Sequence, residues 1–217
     1  MNTSTLKQYK NEGISFIDSE TGTKIHQVTN VPCIHHHPFY YIPSFDATSN
    51  FLSFISHRTG RPEIYQYNFI DKTIYQFTSQ ENISEWTLHP SHFGNSIFFM
   101  DNLGAWKING DSFKNEKLLD FKQISENNEI GICTATTTLS HDDLWWVFIM
   151  KFKEHQSLYI LNTNNGATKK LTEKKNIYHP QFHPNDNNLI RYAGHLYEDR
   201  LWTIHRDGSE NKQIYFR

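Results

Sequence analysis

Thirteen histidines stand in this chain of 217 residues, and several recur at one point of its pattern. His35, His36 and His37 precede an apolar segment. His89 and His179 each stand before a proline at the start of another, and His141 and His183 fall in the turns just after. An imidazole titrates near neutral pH, so it serves as a base, a substrate contact or a metal ligand. It serves equally as a hydrogen-bonded loop residue, and spacing leaves these roles open. A metal site needs three or four convergent ligands, and spacing alone brings no such group together. Side chains alternate along a strand, so His35 and His37 share one face and His36 takes the other.

The phrase His179-Pro180-Gln181-Phe182-His183-Pro184 is more constrained. The two prolines pin the ends of a short strand. His179 and His183 then share a face but lie ~13 Å apart at strand rise, too far to hold one ion. His179 is the candidate for a central channel, and His183 reads as structural. Arg191 and Arg200 follow; Arg200 opens a later strand, Leu201 to Ile204. A guanidinium can bind a carboxylate through two hydrogen bonds, or it can pair with Glu198, Asp199 or Asp207. Ser56 to Glu63 reads as a polar, solvated hairpin turn. There is no Gly-x-Ser-x-Gly elbow, no phosphate-binding glycine loop and no Cys-x-x-Cys.

The elements that must carry these residues are short strands in a repeat. Segment 38–78 and segment 177–216 follow one grammar: turn residues, an apolar strand, a polar hairpin, an aromatic strand, a turn and a last strand. Segments 84–122 and 132–172 are weaker copies. The equivalent positions Phe45, Leu88, Leu139 and Phe182 are 43, 51 and 43 residues apart. A period of about 40–50 residues built from four short strands is that of a β-propeller blade. The expected fold is therefore all-β, a β-propeller with blades near 35–80, 82–125, 131–174 and 176–217. Residues 13–30 resemble the second half of a repeat and are expected to form an N-terminal half-blade. Four blades and an unmatched half predict the N-terminal part of a longer, seven-bladed ring, with a closed four-bladed ring as the rival.

Composition narrows the function classes. Aromatic residues make up 15%, too many for a disordered chain. The longest apolar run, 144–150, is far short of the ~20 residues of a membrane helix. Net charge −2 gives no electrostatic footprint for nucleic acid. Two cysteines, Cys33 and Cys133, exclude a disulfide scaffold. With no apolar secretory segment at the N-terminus, they point to a reducing compartment, the cytoplasm.

The first repeat, with Phe45-Asp46, Phe51 to Ser56, Arg58, Gly60 and Ile64-Tyr65, resembles TolB-like propeller repeats. Two phrases resemble the oligogalacturonate lyases more specifically. One is Val28-Thr29 followed by His35-His36-His37 and the aromatic run to Tyr41. The other is Tyr178-His179-Pro180 with Pro184 and Asp186, then Arg200, Trp202, Ile204 and Asp207-Gly208-Ser209. The resemblance spans about residues 13–217, the N-terminal half of such an enzyme. It implies β-elimination on short α-1,4-linked galacturonate oligomers. It places the general base at His179 and substrate contacts at His36 and Arg200. It also implies Mn2+ on the uronate carboxylate, with ligands in later blades beyond Arg217 and none in this chain. Two positions depart from the family. Ser157 stands nearest the family's catalytic arginine, and Gly194-His195-Leu196 only partly matches its His-Glu-Gly. The 217 residues alone are thus expected to lack activity, and a non-catalytic TolB-like module that binds a protein or a sugar is the competing reading.

Overall fold

Successive side chains of a strand point to opposite faces, and in this chain both faces are apolar where the sheets are central. The computed structural model describes residues 7–134, 136–197 and 200–214. Strand β1 (Gln8–Tyr9) is followed by a hairpin of β2 (Ile14–Ile17) and β3 (Lys24–Gln27). The first four-stranded meander is β4 (His35–His36), β5 (Phe51–Ser56), β6 (Glu63–Asn68) and β7 (Thr73–Gln76). The second is β8 (His89–Pro90), β9 (Ser96–Met100), β10 (Gly104–Asn109) and β11 (Asn115–Asp120). The third comprises β12 (Ile132–Cys133), β13 (Thr138–Leu139), β14 (Trp145–Lys151), β15 (Gln156–Asn162) and β16 (Thr168–Lys174). The fourth comprises β17 (Tyr178–His183), β18 (Asp186–Ala193), β19 (Leu201–His205) and β20 (Lys212–Gln213). Within each sheet neighbouring strands are antiparallel; β12 and β13 share the inner edge of the third.

The alternation along β14 shows how the sheets stack. Trp146, Phe148 and Met150 pack with Phe98, Met100 and Leu119 of the second sheet. Val147 and Ile149 pack with Ile177, Ile190 and Tyr192 of the fourth. In the same way Ile55 and Ile64 of the first sheet meet Ile97 and Phe99 of the second. Each sheet is buried against the next in chain order, as propeller blades are. This explains why the run 144–150 is continuously apolar. Among the described residues no helix is long and apolar enough to cross a membrane.

Two expectations are corrected in detail, and the repeat is uneven at one matching position: Leu88, Leu139 and Phe182 are buried, whereas Phe45, bridged to Leu52 and stacked on Phe69, is 47% exposed. The Ser56–Glu63 connection is exposed only at its tip, Thr59 and Gly60, and is not solvated throughout. Strand β1 pairs with β7 and covers it, so the Arg58 side chain is only 3% exposed. Its guanidinium lies over Tyr9 and Tyr65 and is 2.7 Å from Glu12. The turn itself closes through Gly60, at φ +88°, whose N–H donates to His57. Finally, His179 and His183 are not simply four apart on a regular strand, as the site shows below.

The hairpin β2–β3 pairs with none of the four sheets among the described residues. It packs through Val28 and His26 on the outer side of the first sheet, where His26 Nε2 is 3.2 Å from the Tyr67 hydroxyl. Ile14, Phe16 and Ile17 stay exposed.

Candidate functional site

The fourth sheet carries the site because its inner strand is irregular. Tyr178 pairs with Ala193 and Gln181 with Arg191, so His179 and Pro180 together oppose the single residue Tyr192. A proline cannot donate to a ladder, and a bulge accommodates it. His179 takes the left-handed conformation, φ +50°. The bulge turns the Pro180 carbonyl toward the third sheet, where it accepts from the Thr138 hydroxyl at 2.8 Å. His183, exposed at the far end, accepts from the Asn185 N–H at 3.2 Å and closes the turn.

A cleft of about 140 Å³ opens beside this bulge. Tyr40, His179, Gln181, Arg191, Arg200 and Leu201 are among its lining, and no carboxylate is found among its described lining residues. Gln181 Oε1 accepts from Arg191 Nε at 2.7 Å and also from its Nη2, so the guanidinium is aimed by its cross-strand neighbour. Arg200 Nη1 lies 3.5 Å from the Gly194 carbonyl. The suggested pairing of Arg200 with Glu198 or Asp199 lies outside the described residues. Asp207 instead accepts from Ser209.

Burial first, then the charges of Arg200 and Arg191, hold the His179 imidazole below its ordinary pKa. Its Nδ1 is buried and has no hydrogen-bond partner. That geometry leaves Nε2 as the nitrogen available to a ligand. Phe39, from the loop after β4, stacks on the ring with centroids 5.7 Å apart.

Of the three residues singled out from sequence, His179 and Arg200 share this cleft and His36 does not. Phe39 stands between, touching His179 on one side and Trp86 on the other at 6.1 Å. The His36 ring stacks on Trp86, with centroids 4.5 Å apart. As alternation requires, His35 turns to the other face, with its ring edge against Phe54. Ser157 is buried, and its hydroxyl donates to Glu126 at 2.9 Å. Glu126 also accepts from Tyr159 at 2.6 Å and Lys170 at 3.1 Å. That position therefore belongs to a structural network.

The sequence pattern alone does not single out Gln181 and leaves the role of Arg191 open. Their signal is the alternation of β18 paired against the bulged strand, which needs the register. Among the described residues there are also two candidate metal-binding groups that spacing concealed: His36, His57 and Glu85, and Glu126, His155 and Glu173.

Two other clusters are structural. Ser91, His92 and Asp143 have the residue types of a hydrolytic triad. Here the carboxylate sits between the other two, accepting from the Ser91 hydroxyl and lying 2.7 Å from His92 Nδ1. Nucleophilic catalysis needs the imidazole in the middle. Asp143 instead clamps the second sheet to the third. His89 is fully buried, with Nδ1 donating to the Pro90 carbonyl at 2.8 Å, and burial ahead of the nearby His92 pushes its pKa down to about 4.

His89 makes the fold acid-sensitive. A ring neutral in the folded state and ordinary in the unfolded state contributes stability above pH ~6.5, lost as pH falls toward the folded pKa. Between pH 7 and pH 4.5 the loss expected from His89 is roughly 2–3 kcal/mol. Urea unfolding at the two pH values measures it, and His89→Gln should remove most of that pH-dependent part.

Compared by sequence, the chain matches no family model and no curated protein. Compared by structure, it is similar to an oligogalacturonate lyase in complex with manganese, with a TM-score of 0.84 at 14% identity, over 96% of this chain and 60% of that one. It is similar to an oligogalacturonate lyase from Vibrio parahaemolyticus, with a TM-score of 0.85 at 17% identity, over 98% and 61%. A putative TolB from Agrobacterium tumefaciens follows, with a TM-score of 0.62 at 12% identity, over 98% and 71%. The chain thus spans about three-fifths of the length of those lyases. At these identities the likeness is one of fold, and the chain is an all-β protein with the β-propeller fold.

Proposed function

We propose that the His179 cleft receives the carboxylate of a uronate sugar, and that the protein acts by β-elimination on short α-1,4-linked galacturonate oligomers. The observation that carries this reading is one cleft holding two guanidiniums and a neutral imidazole. The likeness of fold to two oligogalacturonate lyases supports the substrate class.

Arg191 and Arg200 would hold the carboxylate, as guanidiniums hold planar anions. Charge drawn onto that carboxylate acidifies the adjacent C5 proton. His179 Nε2, unprotonated near pH 7, takes the proton. The electron pair left at C5 forms the C4=C5 double bond as the C4–oxygen bond breaks, and the departing oxygen collects a proton from water. A divalent cation does not fit this cleft, where the charged side chains described are both cationic. The Mn2+ implied by the family resemblance therefore has no described ligands at His179, and no step here depends on it. His36 stands across Phe39, outside the cleft, so the suggestion that it touches substrate draws no support from the lining.

The rival is a TolB-like module that binds a sugar without turning it over. Ser157 favours it, since no arginine stands there to share the developing charge. Calorimetric titration with trigalacturonate and with its methyl ester tests the carboxylate claim. Arg200→Gln is expected to weaken trigalacturonate binding roughly 10–100-fold, the loss of one charged hydrogen-bonding partner. Equal binding of acid and ester by the unaltered protein would remove the reading. Tight binding without an unsaturated product would leave the module.

A further inference from the structure

The histidines of the first sheet meet a carboxylate of the second. His36 lies on β4, His57 directly follows β5, and Glu85 opens a short 3-10 turn, Glu85–Thr87, that leads into β8. Glu85 Oε2 is 3.3 Å from His36 Nε2 and 3.0 Å from His57 Nε2. All three ligand atoms lie within 4.8 Å of one another.

The proton positions in this group are constrained. His36 Nδ1 is 2.9 Å from the His37 carbonyl oxygen, which can only accept, so Nδ1 carries the hydrogen. In the neutral ring, Nε2 then presents a lone pair to a carboxylate oxygen. Two lone pairs facing each other need a cation between them. A proton would serve His36 alone, whereas a metal ion serves both imidazoles and the carboxylate from one point.

The dimensions suit such an ion. In a tetrahedral site with bonds of about 2.0–2.1 Å, neighbouring ligand atoms lie about 3.3 Å apart. Both nitrogen–oxygen separations here are close to that edge. Metal-bound histidines commonly donate their other N–H to a backbone carbonyl, as His36 does. Stacking on Trp86 fixes the plane of the His36 ring. The three side chains are 17%, 26% and 28% exposed, so the group is open to water on one side.

Neighbouring cations do not occupy it. Arg58 is engaged by Glu12 at 2.7 Å and Arg61 by Glu63 at 2.7 Å. The other histidine–carboxylate group, Glu126, His155 and Glu173, differs here. Lys170 bonds both of its carboxylates, at 3.1 and 2.8 Å, and already supplies the positive charge.

We propose that His36, His57 and Glu85 bind one divalent transition-metal ion of the Zn2+ class, with a fourth position left to water, and so tie the first sheet to the second. Two imidazoles and one carboxylate select such an ion over Mg2+ or Ca2+, which take oxygen ligands. The group is separate from the His179 cleft, and the proposal does not rest on the sugar chemistry proposed there.

The test uses the full chain stripped with a chelator and titrated with zinc chloride by calorimetry, with melting temperature followed in parallel. One equivalent should bind and raise the melting temperature. His57→Ala and Glu85→Gln should each weaken binding at least about tenfold and abolish the thermal gain. Circular dichroism of both variants in chelator shows whether they are folded. Cobalt(II) should give the intense visible absorption of a tetrahedral site in the unaltered protein and lose it in His57→Gln. Glu173→Gln should bind as the unaltered protein does. Zinc binding unchanged in both His57→Ala and Glu85→Gln would overturn the proposal. So would loss of binding in Glu173→Gln, or no binding at all.

Discussion

Under the proposed elimination, replacing His179 by alanine is expected to lower turnover of short galacturonate oligomers by about 10²–10⁴-fold, the usual contribution of a positioned base. Binding of the same oligomer should change far less, because the guanidiniums of Arg191 and Arg200 remain in the cleft. The split between rate and affinity is the informative part. A residue that only shaped the cleft would alter both together. Alanine also fits the left-handed backbone at residue 179 less readily than histidine does. His179→Asn serves as the companion variant, since asparagine tolerates that conformation but is not a base. Both should lose turnover alike, followed as ultraviolet absorbance of the unsaturated product, and added imidazole should restore part of it in His179→Ala. The low pKa of the ring keeps its basic form present down to mildly acidic pH, so the acid limb of the rate profile should lie below that of a free histidine. Equal turnover by the variants and the unaltered protein would show that His179 is not the base.

The second large effect is on stability. Trp146→Ala should destabilise the fold by about 3–5 kcal/mol. Trp146 is fully buried near the start of β14, edge-on to Phe98 of the second sheet with centroids 5.8 Å apart. Removing it opens a cavity between two stacked sheets, each held by its own hydrogen-bonded ladder and slow to collapse into the gap. Trp146→Phe should cost clearly less. It keeps an aromatic ring against Phe98 and removes an indole N–H that has no partner. Urea unfolding followed by circular dichroism measures both. Similar losses for the two variants would mean that shape, and not the buried volume, sets the cost.

Much of this architecture is readable along the chain. Turn residues at 46–50, 90–95, 140–143 and 183–187 punctuate strands at a regular interval, and strand propensity and period-2 alternation are local properties. The meander order follows, since short polar hairpins permit little else. His179 was legible as a candidate because it stands at the entrance of a strand whose ends Pro180 and Pro184 pin. The fifth strand β1 was not, because two residues carry no period of their own. Neither was the burial of Arg58, which depends on β1 and Glu12 arriving from another part of the chain.

The sites divide along the same line. Sequence determined the period, the strand order and the histidines set at strand entrances, because each depends on neighbours within a few residues. The stacking of sheets decided the rest. It placed Arg191 beside His179 through a bulged register, set Phe39 between His179 and Trp86, and brought His36, His57 and Glu85 within 4.8 Å from two different sheets. Those meetings depend on how far each sheet is rotated and shifted against the next. That is fixed by the packing of buried faces such as Trp146 on Phe98, and no local pattern in the chain records it.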